Sequence, residues 1–167
     1  MAAQAQVSLE EYLGTSFDGA DREFLDGEIV ERNVGDIRHS KAQLELGSFF
    51  HGLTEELSLR CFPELRVRLG PKRYRVADLA VYAGGEPAER YPSSPPLVIV
   101  EILSPDDRYT EILDKLEDYR RWGVAHIWFV DPSRGKLHVY GEGGLREVEA
   151  FRIPDYQVEI PPAKVFR

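Results

Sequence analysis

The apolar run from Leu97 to Leu103 constrains the fold of this chain more than any other stretch of the sequence. The run is rich in β-branched side chains, and prolines flank it at Pro95–Pro96 and at Pro105. A continuous apolar run of strand length, bounded by turn residues, predicts a strand that is buried on both faces. Other elements must therefore cover both sides of this strand.

An acidic residue, Glu101, lies in the middle of this apolar run. An ionised carboxylate in such a place is costly unless it is paired with a cation or bound to a metal. One explanation is a structural ion pair. The other is a metal ligand or a catalytic carboxylate in a dry, rigid site. The run alone leaves both explanations open.

A second carboxylate, Asp78, lies in a comparable position within a predicted strand. Period two places it on an otherwise apolar face with Tyr74, Val76, Ala80 and Tyr82. The loop from Ala83 to Pro95 is rich in glycine and proline and is long enough to bring the two strands side by side. Two acids on neighbouring strands predict an oxygen-rich site suited to Mg²⁺ or Mn²⁺.

A lysine follows on a predicted helix from Glu111 to Trp122, which Gly123 closes. Helical periodicity places Lys115 on the apolar arc of this helix, together with Ile112, Leu113, Leu116, Tyr119 and Trp122. Lysine stems often pack on apolar surface while the ammonium reaches water. The pattern therefore supports a functional Lys115 and a merely packed Lys115 equally.

The bulk properties indicate one domain spanning residues 1–167 with an ordinary hydrophobic core. The lone Cys61 excludes an intramolecular disulfide and favours a reducing compartment. The N-terminal residues lack the pattern of a signal peptide, and no apolar stretch is long enough to span a bilayer. We therefore expect a cytoplasmic protein without a membrane anchor.

The charge distribution bears on nucleic-acid binding in two ways. The formal net charge of −8 argues against indiscriminate binding to phosphates. A local basic run lies directly before the Asp78 strand and consists of Arg66, Arg68, Lys72, Arg73 and Arg75. This run is either an exposed edge or hairpin of the sheet or the phosphate-facing rim of a cleft, and both interpretations remain open.

The remaining patterns predict further elements on both sides of this central region. A short capped helix begins at Ser8, and a hairpin turns at Asp26–Gly27. A long amphipathic helix is predicted from Asp36 to Leu57, with His39 expected to be solvated. Further strands are predicted at 65–69, 125–130, 137–140, 145–148 and 157–160. The order helix, three strands, helix, strand indicates an α/β fold around a mixed sheet.

The order of these elements, with Asp78, Glu101 and Lys115 at their places, resembles the PD-(D/E)xK nuclease superfamily and, more specifically, the Uma2 family of restriction-endonuclease-like proteins. Further matching stretches are residues 22–28, His39, residues 76–81, 100–105, 114–115, Tyr119, 123–124 and 127–132. Two departures stand out. Ala77 precedes Asp78 where the superfamily has proline, and Leu103 stands where the motif has lysine, so Lys115 is the substitute.

The resemblance implies a restriction-endonuclease-like core of αβββαβ order, with helices flanking a mixed sheet and extra β-hairpins. It also implies hydrolysis of phosphodiester bonds of nucleic acid, with DNA expected before RNA. Asp78, Glu101 and the backbone carbonyl of Ile102 would hold Mg²⁺ or Mn²⁺. Lys115 would orient the attacking water or stabilise charge on the phosphate. Glu23 would complete the metal shell, and His39 would border the cleft.

Two other functions remain open on the sequence. A domain can keep a nuclease scaffold and bind a partner or nucleic acid without cutting it, because a fold does not determine a function. A metal-dependent hydrolase of another phosphate ester is the second alternative. A homodimer is also open, because nucleases that cut both strands of a duplex often work as dimers.

Overall fold

An eight-stranded mixed sheet with helices packed on both faces forms the centre of the computed structural model, which describes residues 6–167. The helices are α1 (Leu9–Gly14), α2 (Ile37–Gly52), α3 (Thr54–Leu57), α4 (Tyr109–Trp122) and α5 (Pro162–Val165). The strands are β1 (Glu23–Leu25), β2 (Glu28–Val30), β3 (Leu59–Gly70), β4 (Arg73–Ala83), β5 (Val98–Ile102), β6 (His126–Asp131), β7 (Lys136–Gly141), β8 (Gly144–Val148), β9 (Phe151–Ile153) and β10 (Val158–Ile160).

The strand order is β2-β1-β4-β5-β6-β7-β8, and β3 pairs with β4 outside this path. Neighbouring strands run antiparallel, with the exception of β5 and β6, which are parallel and joined through α4. The elements α2, β3, β4, β5, α4 and β6 follow the αβββαβ order. The predicted α/β fold with a mixed sheet and extra hairpins is therefore confirmed.

Strand β4 has an unusual set of neighbours. Strand β3 pairs with it along one edge, from Arg73 to Ala83. Both β1 and β5 must therefore share the opposite edge, where β1 pairs at Arg73–Tyr74 and β5 pairs at Leu79–Val81. Between these two contacts, residues 75–78 have no strand neighbour on that edge within the described chain. This gap in the sheet positions the candidate site.

Strand β5 is buried along its whole length, as the apolar run predicts. Val98 and Val100 pack in the cluster that contains Leu46 of α2. Ile99 packs on the opposite face, in the cluster that contains Leu116 of α4. Burying an aliphatic side chain completely contributes roughly 1.5–3 kcal/mol, so the two faces of β5 are a major source of stability.

The predicted helix from Asp36 to Leu57 is wrong in its C-terminal part. Asp36 caps α2 through its side chain, but α2 ends at Gly52, and the separate short helix α3 follows. Leu53 and Leu57 continue the apolar period because both pack against the core, even though the helix is interrupted at Leu53. Core packing, rather than one continuous helix, therefore explains the periodicity.

The strand predicted at 65–69 is also too short, because β3 begins at Leu59. Pro63 interrupts the sequence pattern, yet it lies within β3 opposite Leu79. An edge strand tolerates proline, since one of its sides requires no backbone donor. The strand predicted at 157–160 is confirmed as β10, and its partner β9 was not predicted. Within residues 6–167, no helix combines the length and apolarity needed to cross a bilayer.

We expect Gly123→Ala to destabilise the protein by about 1–2 kcal/mol, because Gly123 closes α4 with a φ of 102°. A Cβ at Gly123 would meet nothing closer than 3.8 Å, so the cost is conformational. Gly52→Ala is the matched control: a Cβ there meets nothing within 4 Å, and we expect it to be neutral or stabilising by up to about 1 kcal/mol. Urea denaturation of both variants measures the difference, and equal effects would contradict this account of the α4 terminus.

Candidate active site

Backbone groups in the gap along β4 have no strand as a hydrogen-bond partner. Charged side chains take the place of that strand. The N–H of Val76 donates to Glu23 at 3.0 Å, and its carbonyl accepts from the Lys115 ammonium at 2.7 Å. Across the gap, the N–H of Ile102 donates to the Asp78 carboxylate at 2.7 Å. A buried backbone group without a partner is costly, so these contacts hold the three charged side chains at fixed places.

Asp78 is buried, and both of its carboxylate oxygens have polar partners. Its Oδ2 accepts from the N–H of Ile102 and lies 3.3 Å from Nε2 of His39. Its Oδ1 accepts from Nη2 of Arg32 at 2.9 Å. Burial alone would raise the pKa of Asp78, but the His39 contact and the cations Lys115 and Arg32 lower it below the ordinary value. Asp78 is therefore a carboxylate at neutral pH.

The strict alternation predicted around Asp78 is wrong. Ala77 and Ala80 pack in the same cluster beneath α4, which two residues three positions apart cannot do in a regular strand. The adjacent strand β3 adopts a left-handed backbone at Glu64, with a φ of 50°, directly between the partners of Ala77 and Leu79. This local irregularity turns Asp78 towards α2, which carries His39 and Gln43. The side chain of Gln43 donates a hydrogen bond to the Asp78 carbonyl.

Glu101 lies on the other side of the gap and is 8% exposed. Its Oε2 accepts from Lys115 at 2.9 Å, and its Oε1 accepts from the Tyr119 hydroxyl at 2.8 Å. Burial raises the pKa of Glu101 to about 7; the Lys115 charge opposes this shift, and the Asp78 charge adds to it. Among Glu23, Asp78 and Glu101, Glu101 is therefore the one least stabilised as an anion.

Lys115 lies 2.9 Å from Glu23, 2.9 Å from Glu101 and 2.7 Å from the Val76 carbonyl. Two of these contacts, to Glu101 and to the Val76 carbonyl, are hydrogen bonds, and the contact with Glu23 is an ion pair. Burial alone would lower the pKa of Lys115, but Glu101 and Glu23 raise it above the ordinary value. The predicted placement of Lys115 on the core-facing arc of α4 is confirmed, and its ammonium stays charged.

Glu23 binds the same ammonium from strand β1. Its Oε2 accepts from Arg75 at 2.7 Å, and its Oε1 accepts from the Val76 N–H. Burial opposes ionisation, but Lys115 and Arg75 lower the pKa of Glu23 to about 2. The structure thus brings together Glu23, Asp78, Glu101 and Lys115, as the site prediction required.

A cleft of about 210 Å³ opens onto these residues. Its lining includes every carboxylate and cation of the centre, together with Ile102 and Arg108: Glu23, Arg32, Arg75, Asp78, Glu101, Ile102, Arg108 and Lys115. The carboxylates and the Ile102 backbone offer an all-oxygen donor set. Such donors suit Mg²⁺ or Mn²⁺, and Mg²⁺ commonly takes one or two carboxylates and completes its shell with water.

The expectation that His39 is solvated is wrong. His39 is 7% exposed, and its contact with Asp78 raises its pKa, although burial alone would lower it. A Cβ at Gly35 would lie 2.5 Å from the imidazole, so glycine is required for the close approach of this loop. His39 is not among the residues that line the cleft, and it contacts the site through Asp78.

The five cations of the basic run lie in different parts of the protein. Arg75 lines the cleft, but it is paired with Glu23 and Asp118. Arg66 pairs with Asp21 and packs over the Tyr12 ring, and Arg73 pairs with Asp26 and Asp118. The side chains of Arg68 and Lys72 are exposed on the β3–β4 hairpin. The structure therefore does not gather the five cations into one rim of the cleft.

Two functional contacts were not anticipated from the sequence. Arg32 binds Asp78 from the loop after β2, where no periodic pattern points to a buried cation. Tyr119 was expected on the core-facing arc of α4, but its hydroxyl bond to Glu101 was not. The spacing of Lys115 and Tyr119, one helical turn apart, is the one signal that could have indicated a shared partner.

Comparison with known proteins points to one family. A family model described as "Uma2: Putative restriction endonuclease" matches residues 9–163. No curated protein matches the chain. Among solved structures, a crystal structure of a protein described as a putative nuclease from Anabaena variabilis is 20% identical, with a TM-score of 0.82. The match covers 96% of this chain and 97% of that chain, so the two share a fold over their length.

We expect Glu23 to account for roughly 3 kcal/mol of the fall in the free energy of unfolding as the pH drops from about 5 to about 2. The pKa of Glu23 is lowered from 4.5 to about 2, so its ionised form stabilises the fold above the ordinary pKa, and this contribution disappears as the pH falls through the folded-state value. Glu23→Gln should remove this part of the pH dependence. Denaturant titrations at several pH values measure it.

The exposed Glu28, on the same hairpin, provides the control. Glu28→Gln should leave the pH dependence of stability unchanged, since surface charges contribute little. At pH 7, Glu23→Gln should cost about 3–5 kcal/mol, because it leaves Lys115 and Arg75 buried with one fewer anion. An acid transition identical to that of the wild type would show that Glu23 does not carry the effect.

Proposed function

The chain belongs to the Uma2 family, and we propose that it is a metal-dependent endonuclease that hydrolyses phosphodiester bonds of nucleic acid, with DNA as the expected substrate. The observation that carries the proposal is the meeting of Asp78, Glu101 and Lys115 in one cleft. Family membership supports a nuclease. The metal and the residue roles are those that the resemblance implies, and the oxygen-rich lining of the cleft supports them.

Asp78 and Glu101 would hold Mg²⁺ or Mn²⁺, with the backbone carbonyl of Ile102 as a further oxygen donor. Asp78 is already ionised at neutral pH, and Glu101 loses its proton near pH 7. When bound, the ion would polarise the phosphate and lower the pKa of an attacking water. Glu23 would extend the negative charge of the site and complete its shell of oxygen atoms.

Lys115 would stabilise negative charge that develops on the phosphate. Charge stabilisation in a dry site requires only that the ammonium be near, and Lys115 lies beside Glu101 in the cleft. Orientation of a water molecule would require a free donor. Two of the three donors of the Lys115 ammonium are already hydrogen-bonded to Val76 and Glu101, which leaves one donor for this task.

The exposed cations of the basic run, Arg68 and Lys72, would guide the substrate towards the cleft. Arg75 is the member of the basic run nearest the carboxylates, and its role there would be to keep Glu23 in place. The exposed Arg68 and Lys72 are free to approach phosphates outside the cleft. Phosphate contacts of this kind make binding strongly salt-dependent.

A cytoplasmic location and a homodimer belong to the same proposal. Light scattering measures whether the protein is a dimer in solution.

A non-catalytic domain is the second candidate, and a specific observation favours it. Asp78 and Glu101 are each paired with a cation, Arg32 and Lys115. In residues 6–167, no set of three or more His, Cys, Asp and Glu side chains is arranged to hold a metal ion. In this candidate the carboxylates are structural partners of the cations, and the domain binds a partner or nucleic acid without cutting it.

We expect Asp78→Asn and Glu101→Gln each to lower cleavage by at least roughly a hundredfold and to weaken Mg²⁺ binding, because each removes a proposed ligand. The assays are calorimetric titration with Mg²⁺ and Mn²⁺, and cleavage of supercoiled plasmid, single-stranded DNA and RNA. Small phosphate esters, assayed in parallel, distinguish a nuclease from another phosphate-ester hydrolase.

Glu147→Gln is the matched control, because Glu147 is an exposed carboxylate that pairs with Lys136 far from the cleft. It should bind metal and cleave as the wild type does. Circular dichroism checks that all variants fold. Undiminished cleavage by a folded Asp78→Asn variant would remove the site assignment, whereas nucleic-acid binding without metal binding in the wild type would favour the non-catalytic candidate.

A further inference from the structure

We propose that Arg32 competes with a divalent cation for the metal position of Asp78, and that Glu64 holds Arg32 when the cation takes that position. The inference rests on the proposed function, because it concerns how the same metal site is filled. It assigns to Arg32 and Glu64 a role in setting metal affinity, which neither the family comparison nor the site prediction provides.

The two oxygens of Asp78 are not equivalent. Oδ2 is committed to the scaffold through the Ile102 N–H at 2.7 Å and Nε2 of His39 at 3.3 Å. Oδ1 has one side-chain contact, Nη2 of Arg32 at 2.9 Å. A metal that keeps the scaffold intact must therefore bind through Oδ1. A guanidinium and a divalent cation on one oxygen repel each other in a buried site, so Arg32 opposes binding of the cation there.

Arg32 already has a second carboxylate partner, Glu64. Its Nη1 donates to Oε2 of Glu64 at 2.6 Å while Nη2 contacts Asp78. The Glu64 side chain is 45% exposed, whereas the Asp78 side chain is 5% exposed. Arg32 can thus release the buried carboxylate and keep a charge-assisted bond to the half-exposed one, without entering water unpaired.

The backbone at Glu64 supports a specific role for this residue. Glu64 lies within β3 at a φ of 50°, a conformation that non-glycine residues rarely adopt and that costs free energy. It stands beside Asp78 in the sheet, between the partners of Ala77 and Leu79. Nε2 of Gln43 bonds to both Glu64 and the Asp78 carbonyl at 2.9 Å, which ties the two positions together.

The experiment is a calorimetric titration with MgCl₂ and MnCl₂ at low and high ionic strength. We expect Arg32→Gln to bind metal roughly ten- to a hundredfold more tightly than the wild type, because the competitor is gone. Glu64→Gln should weaken binding several-fold, since Arg32 then has Asp78 as its main partner. In the double variant the effect of Glu64→Gln should vanish, because it acts through Arg32.

Arg108→Gln is the charge-matched control, since Arg108 also lines the cleft but contacts Glu111 at 3.8 Å with an 80% exposed side chain. Its effect should stay within about twofold and disappear at high salt, as a purely long-range field would. Arg32→Lys keeps the charge with a shorter reach and should fall between the wild type and Arg32→Gln. Thermal unfolding without metal establishes that each variant is folded.

The outcomes separate this inference from the proposed function. Metal binding by the wild type that Arg32→Gln leaves unchanged, or changes only as Arg108→Gln does, would overturn the role of Arg32 and leave the metal site standing. A Glu64→Gln effect that persists without Arg32 would overturn the role of Glu64. Absence of metal binding in every folded variant, including Arg32→Gln, would remove the metal site and this inference together.

Discussion

The site depends on the interruption of backbone pairing along one edge of β4. Strands β1 and β5 pair with separate parts of that edge, so residues 75–78 have no strand neighbour there. The polar backbone groups still require partners inside the protein. Carboxylates and an ammonium provide them, at Val76 and Ile102. The same break that costs the sheet its hydrogen bonds therefore fixes charged side chains in a buried place.

These buried charges are tolerable because they compensate one another. The anions Glu23, Asp78 and Glu101 face the cations Arg32, Arg75 and Lys115. Such an arrangement contributes little net stability compared with apolar packing, since desolvation offsets most of the attraction. The compensation is also uneven: the pKa of Glu23 is lowered, whereas burial dominates at Glu101 and raises its pKa. A stable core does not need this arrangement, which favours a functional explanation for retaining it.

The sequence predicted the parts of the site that contradict a local pattern. Glu101 and Asp78 interrupt apolar strands, and Lys115 interrupts the apolar arc of a helix, so each is visible against its neighbours. Arg32 and Glu64 do not interrupt an apolar pattern in this way. Arg32 lies in a loop, and Glu64 lies in an irregular part of an edge strand. The burial of His39 depends on its contact with Asp78 of β4, and the end of α2 depends on where the chain must turn into β3. These features arise from packing between distant segments, which one sequence does not encode as a period.

The catalytic and non-catalytic candidates differ physically in whether the cations at Asp78 and Glu101 can be exchanged. Around Glu101, both oxygens accept from donors on α4, so a metal ion at Glu101 would have to displace or share a contact with Lys115 or Tyr119. Around Asp78, one oxygen is bound to the scaffold and the other to an arginine that already holds a second, more exposed carboxylate. Exchange at Asp78 therefore disturbs fewer contacts than exchange at Glu101. A divalent cation would have to enter on the Asp78 side, and the ease with which Arg32 leaves would decide whether this nuclease scaffold can perform chemistry.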